Sequence, residues 1–199
     1  MKTLPWPNEY KKLIVDGGDY YEFAHFGWGD LEMQTGGYCI GYKNAADALI
    51  EDAISSKDNF KLDTFVFPAL FLYRQYIELT LKGLIISLSE LEKEEKIKKF
   101  ESYNHDLIKL WEDFVKICSD LLNDKSDPVQ SVIEKYIHEF SKIDKRSFAF
   151  RYPFTKKLEL IFGKERRINL RHIKERMEEI ECFFNGAGDY MHDLKKPGE

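Results

Sequence analysis

Arg74, Glu78 and Lys82 follow one another at intervals of four within an otherwise apolar run, so on a helix they form one polar stripe. Such a stripe is either a ladder of surface ion pairs, each worth about a few tenths of a kcal/mol, or, if it faces other charged groups, a charged pocket between helices. Two segments carry side chains that suit the second reading. His105 lies between Asn104 and Asp106, where it either closes a helix cap and the connector or presents its imidazole to a charged pocket between helices. Arg151 is flanked by Phe150 and Tyr152 and points away from their shared face, so it either binds a phosphate or pairs with Glu78 or Asp106.

Other chemistries find less support. A di-iron bundle needs Glu-x-x-His pairs on two helices, and the chain does not supply two. Glu134 and His138 share a helix face, as a lone carboxylate and imidazole often do on surfaces. His172 and Glu175 are no better placed, and His25 and His192 fall in segments where structural roles dominate. There is no GxSxG, no GxGxxG and no GKS or GKT, so a hydrolase elbow and a phosphate-cradling loop lack their signatures. Cys39, Cys118 and Cys182 are odd in number and widely spaced, and read as small buried apolar residues rather than a disulfide framework or zinc knuckle. No metal site and no cofactor are implied.

The net charge of -5 is unevenly spread. Residues 1–60 hold 5 Lys/Arg against 10 Asp/Glu, whereas residues 141–175 hold 11 against 4. A basic stretch of that kind either solvates an exposed segment or attracts phosphate groups. A pI near 5.7 argues against an indiscriminate nucleic-acid coat. With 199 residues, 43% hydrophobic and 33% charged, the chain suits one domain and not a disordered, collagenous or coiled-coil protein. It has no uncharged apolar run of the length a spanning helix requires, and its proline-broken start does not resemble a secretory signal. A cytoplasmic protein with no membrane association is the expectation.

The elements that position these residues are mostly helical. Residues 1–42 alternate glycines with rings such as Tyr20, Tyr21, Phe26, Trp28 and Tyr38, which predicts an irregular arm stapled to the rest by its aromatics. Ala45, Ala46, Leu49, Ile50, Ala53 and Ile54 predict a small amphipathic helix. Ile77, Leu81, Leu84, Ile85 and Leu88 predict a core helix that begins or bends at Pro68. The charged ELEKEEKIKKFES stretch is expected to be a solvated connector. A helix over Leu107–Leu122 then follows, with Asn104 as its N-cap. A fourth starts at Asp127 and Pro128 and ends near Ile143. Alternation at Phe148, Phe150 and Tyr152, and again at Leu158, Leu160 and Phe162, predicts a small β-hairpin around Pro153. A last helix runs from about Asn169 to Phe184 before a break at Gly186 and Gly188, and the terminal KKPGE is expected to fray. The fold class is therefore mainly α, an antiparallel up-and-down bundle of about five helices with an N-terminal arm and a hairpin, one domain overall.

LFLYRQYIELTLKGLI, followed after a charged loop by YNHDLIKLW, resembles the HEPN superfamily of small helical bundles. In that family an arginine and a glutamate recur on a long helix with a later lysine, and an HDL motif opens the next helix. The matching residues are Arg74, Glu78, Lys82, His105, Asp106 and Leu107, and FRYP at 150–153 resembles a further segment of bacterial relatives. The likeness spans about residues 60–195, within a helical domain of residues 43–199. It favours the pocket reading and implies a ligand-binding set of Arg74, Glu78, Lys82, His105, Asp106, Arg151 and Tyr152. It also implies a module that binds a nucleotide, an RNA or a partner protein, often as a homodimer, in a toxin-antitoxin or phage-defence setting. Nuclease members share an arginine, four to six residues and a histidine. Arg167 and His172 fit that spacing, which implies a metal-independent endoribonuclease in which the arginine holds phosphate and the imidazole moves a proton. The third reading is a structural dimer joined through exposed aromatics.

Overall fold

The computed structural model describes residues 12–122 and 128–195. Six α-helices account for most of them: α1 (Leu31–Ser56), α2 (Asn59–Leu88), α3 (Lys93–Tyr103), α4 (Leu107–Leu122), α5 (Pro128–Ile143) and α6 (Leu170–Lys195). The mainly helical class read from the sequence is what the chain adopts.

A two-residue turn joins α1 to α2. Lys57 closes α1 in the left-handed conformation, and the Asp58 carboxylate opens α2 by accepting the Phe60 N–H at 2.9 Å. The two helices run antiparallel, as their contacts show. Thr35 meets Gly83, Cys39 meets Thr80, and Asp47 accepts from the Tyr73 hydroxyl at 2.6 Å. A Cβ at Gly83 would sit 3.3 Å from the Thr35 methyl, so this glycine permits the close approach. α2 packs against α1, α4 and α6. Its Leu70, Tyr73, Ile77, Leu81 and Ile85 form one buried stripe at the spacing the sequence shows. On α4, Leu107, Leu110, Trp111, Phe114 and Cys118 bury at the same period. Met177, Ile180 and Phe184 of α6 and Ile133 and Ile137 of α5 complete the core. Edge-on rings lock the seam, with Phe114 and Phe184 centred 6.2 Å apart at 86°.

Several expectations are corrected. α1 already runs from Leu31, because the Asp30 carboxylate accepts the Met33 N–H at 2.9 Å and packing on α2 overrides the weak helix propensity of Gly36, Gly37 and Gly41. Within residues 12–30, Tyr20, Tyr21, Phe26 and Trp28 are exposed rather than stapled to the helices. α2 starts at Asn59 and passes through Pro68. The charged connector folds as α3, opened by a Glu92–Glu95 capping box. Asn104 is the left-handed C-cap of α3, and Asp106 caps α4 by accepting the Ile108 N–H at 3.0 Å. α6 continues through Gly186 and Gly188; a Cβ at Gly188 would lie 3.2 Å from Leu84, so that glycine fits α6 against α2. The expected cap at Asp127 and the KKPGE residues after Lys195 lie outside the described residues.

The expected β-hairpin is absent from the described residues. Residues 144–162 form a series of turns with a single bridge between Phe154 and Leu160. The Asp144 carboxylate accepts the Phe148 and Ala149 N–H groups at 2.7 and 3.1 Å, and the Phe148 carbonyl accepts those of Arg151 and Tyr152. The donors of residues 148, 149, 151 and 152 are thus taken locally, cross-pairing is limited to the Thr155 and Ile161 N–H groups beside the bridge, and Ser147 and Leu158 sit at positive φ, outside regular strand geometry.

Candidate functional site

Two features stand out: a buried ion network on α2, and an open basic groove beside the residues that precede α6.

Arg74 is fully buried and Glu78 is 2% exposed. Three nitrogens of the Arg74 guanidinium are engaged inside the protein. Nη1 donates to Glu78 Oε2 at 2.7 Å, Nε donates to the Asp144 carbonyl at 3.1 Å, and Nη2 donates to the His105 carbonyl. Glu78 Oε1 accepts from Lys82 Nζ at 2.7 Å and lies 2.8 Å from His105 Nδ1. Burial by itself would push the Glu78 carboxyl up, but Lys82, Arg74 and His105 together outweigh it and hold the group at about 2. The helix spacing of the stripe makes this possible, since residues four apart meet on one face. α2, the turn before α4 and the segment after α5 therefore converge, and the Arg74 donors are spent inside the network, with Asp144 Oδ2 lying 3.7 Å from Arg74 Nε without a hydrogen bond. The network clamps three elements that the chain brings together from positions 74, 105 and 144.

The other members of the expected binding set surround this clamp. His105 occupies the left-handed region at φ 62, with a half-exposed ring. Asp106 is engaged as the α4 cap. Arg151 donates through Nε to the Ser147 carbonyl and lies over the rings of Phe71 and Tyr152, at 6.0 and 5.8 Å. Tyr152 is itself half-exposed and stacks on Phe148 at 4.8 Å.

The sequence reading missed Asp144, the buried acid that orders the 144–152 turns and receives Arg74. A carboxylate directly after a helix C-terminus is unfavourable unless a cation or donors compensate it, and Asp144 in IDKRS carried that signal. It also missed a second cluster, built around a buried lysine. Lys43, 3% exposed, pairs with Asp47 at 2.8 Å and Glu181 at 2.9 Å, and Asp47 accepts from Tyr73. This cluster ties α1, α2 and α6 together.

The groove has a volume of about 950 Å³ and opens between the α1–α2 corner and residues 162–171. Its apolar wall includes Leu62, Val66, Phe67, Phe150 and Phe162; its rim carries Lys164, Arg166, Arg167 and Arg171, partly offset by Asp63 and Glu165. The Arg166 guanidinium lies 5.5 Å above the Phe162 ring. A smaller cavity of about 230 Å³ adjoins it, sharing Ile143 and Phe150, and is lined by Tyr136, His172 and Arg176 among others. Arg167 and His172 thus line neighbouring hollows rather than one. Both are exposed, and the backbone N–H of His172 donates to Asn169 Oδ1 at 3.1 Å, which caps α6.

Among the described residues, no cluster of three or more His, Cys, Asp or Glu side chains is arranged to hold a metal, and no helix is long and apolar enough to cross a membrane. Compared with family models, with curated proteins and with solved structures, the chain shows no significant match.

Proposed function

We propose that the chain is a HEPN-like helical module, its six helices forming an up-and-down bundle, that binds single-stranded RNA or a nucleotide through its phosphates in the groove between the α1–α2 corner and residues 162–171. The observation that carries this reading is the pairing of Lys164, Arg166, Arg167 and Arg171 with an aromatic wall in one open hollow. Cations neutralise phosphates, and Phe67, which is exposed, offers a face on which a base stacks. Arg74 is a poor phosphate ligand because its donors are engaged internally, which moves the binding role from the α2 stripe to the groove. A cytoplasmic toxin-antitoxin or phage-defence role follows from the HEPN resemblance alone.

Fluorescence anisotropy with a labelled single-stranded RNA, read across salt concentrations, tests the assignment. Affinity is expected to fall with salt by a log–log slope of roughly 0.7 per phosphate contact. Arg166→Ala combined with Arg167→Ala should reduce that slope by about 1.4. A slope unchanged by the double substitution, or no binding at low salt, refutes the groove. The nuclease reading rests on the Arg167 and His172 spacing that the HEPN resemblance picks out. The same RNA, incubated without metal, should then be cut by the protein and left intact by His172→Ala.

A further inference from the structure

We propose that His105 is a covalent modification site, its ring nitrogen Nε2 accepting a phosphoryl group from a donor that carries phosphorus on nitrogen. His105 Nδ1 lies 2.8 Å from Glu78 Oε1. By contrast, among the described residues His138 stays 3.8 Å from Glu134, and the rings of His25 and His172 meet no carboxylate. Glu78 is ionised, so its oxygens only accept, and the neutral imidazole must carry its hydrogen on Nδ1. The lone pair is thereby fixed on Nε2. The side chain is 52% exposed, and because Nδ1 is turned inward to Glu78, the edge that bears Nε2 is the one left to water. The main chain is held as firmly. His105 and Asn104 both occupy the left-handed region, at φ 62 and 46, which costs any residue with a Cβ, and Arg74 Nη2 donates to the His105 carbonyl. Held strain of this kind clusters at functional sites. Stability alone does not account for the charges beneath the ring either, since exchanging a whole buried ion network for apolar side chains is often neutral. What the network delivers to the surface is one oriented imidazole.

Exposure selects modification over catalysis on an enclosed substrate. His105 lines neither the groove nor the smaller cavity, so the reacting group must come to it from solvent. A phosphoryl group suits this nitrogen. The clamp is neutral as a whole, with Arg74 and Lys82 against Glu78 and Asp144, and so does not repel a phosphate dianion. With phosphoramidate as donor, the Nε2 lone pair attacks phosphorus, the Nε2–P bond forms, and the donor's P–N bond breaks with its electron pair leaving on ammonia. The zwitterionic donor already holds the proton that ammonia keeps, so none is transferred. The ring becomes an N-phosphoimidazolium whose Nδ1–H still donates to Glu78, now as a charge-assisted hydrogen bond. Glu78 thus acts as a positioning residue that fixes the tautomer and stabilises the positive charge that develops on the ring. None of this depends on RNA binding in the groove.

Incubating the full chain with potassium phosphoramidate near neutral pH and quenching in alkali tests the assignment. Phosphorus NMR separates the Nδ1 from the Nε2 isomer of phosphohistidine, and peptide mass spectrometry identifies which of the five histidines carries it. His105 should be labelled roughly tenfold faster than His25, His138, His172 or His192, a difference of about 1.4 kcal/mol in barrier. It should also be labelled on Nε2 alone, whereas an unconstrained ring gives both isomers. Glu78→Gln, whose amide can donate as well as accept, releases the tautomer and should abolish both the rate advantage and the single isomer. Equal rates at all the histidines, an Nδ1 product at His105, or a folded Glu78→Gln variant that keeps both features would overturn the proposal. The comparison among histidines of the wild-type chain involves no substitution, so it decides the matter even where the variant unfolds.

Discussion

Replacing Glu78 by glutamine removes one negative charge from a pocket where Arg74 is fully buried and Lys82 and His105 converge on the same carboxylate. The isostere keeps shape and some hydrogen bonding, but removes the nearer of the two carboxylates that face the buried guanidinium, at 2.7 Å, and leaves only Asp144 Oδ2 at 3.7 Å. Breaking a buried pair in this way costs about 3–5 kcal/mol. The pH dependence gives a second route to the magnitude. Glu78 ionises at about 2 in the folded protein against an ordinary 4.5, and at 1.36 kcal/mol per unit that difference is worth about 3 kcal/mol. Because the folded value is depressed, the unfolded chain binds the proton first. The stabilisation is therefore complete above about pH 4.5 and is lost as pH falls toward 2. Urea unfolding followed by circular dichroism reads both effects. With a slope of about 2–3 kcal/mol per molar urea, Glu78→Gln should lower the midpoint at pH 7 by about 1–2.5 M. The gap between wild type and variant should close as the pH approaches 2. Exchanging both Arg74 and Glu78 for methionine should cost less than the sum of the single changes, since neither is left facing the other's absence and Asp144 keeps its Phe148 and Ala149 donors. A variant that unfolds at the wild-type midpoint, or a gap that persists undiminished at low pH, would refute the clamp.

Asn169→Ala removes the side chain that accepts the His172 N–H at the start of α6. It should cost about 1 kcal/mol and lower Tm by about 2–4 °C in a thermal melt. Burial pushes the Cys118 thiol up to about 12 and raises that of Cys39, whereas Cys182 is exposed. Thiol titration with a disulfide reagent at pH 8 should therefore modify Cys182 rapidly in the native protein, and Cys118 only after unfolding. Three thiols reacting together at once would contradict the burial.

The apolar period of α2 and α4 and the Pro128 start and Ile143 end of α5 were legible in the sequence, because each depends on residues three or four positions apart. So was the four-residue spacing that lets Arg74, Glu78 and Lys82 meet on one helix face. What each group faces was decided elsewhere in the chain. Asp144 lies 70 positions from Arg74 and the His105 carbonyl 31, and no local pattern states that these groups bury one another's charge. The same cause explains the misread boundaries. Glycines in α1 and α6 weaken a helix locally, but packing of Thr35 on Gly83 and of Gly188 on Leu84 decides the outcome. Strand-like alternation at 148–162 yields to turns once Asp144 takes the Phe148 and Ala149 donors. Sequence by itself determined the helical class, the charge asymmetry and the polar stripe, all of which are properties of neighbours along the chain. Tertiary structure alone decided that the stripe is a buried clamp and that the basic residues line a groove, because burial and electrostatic pairing depend on which distant segments share the same space.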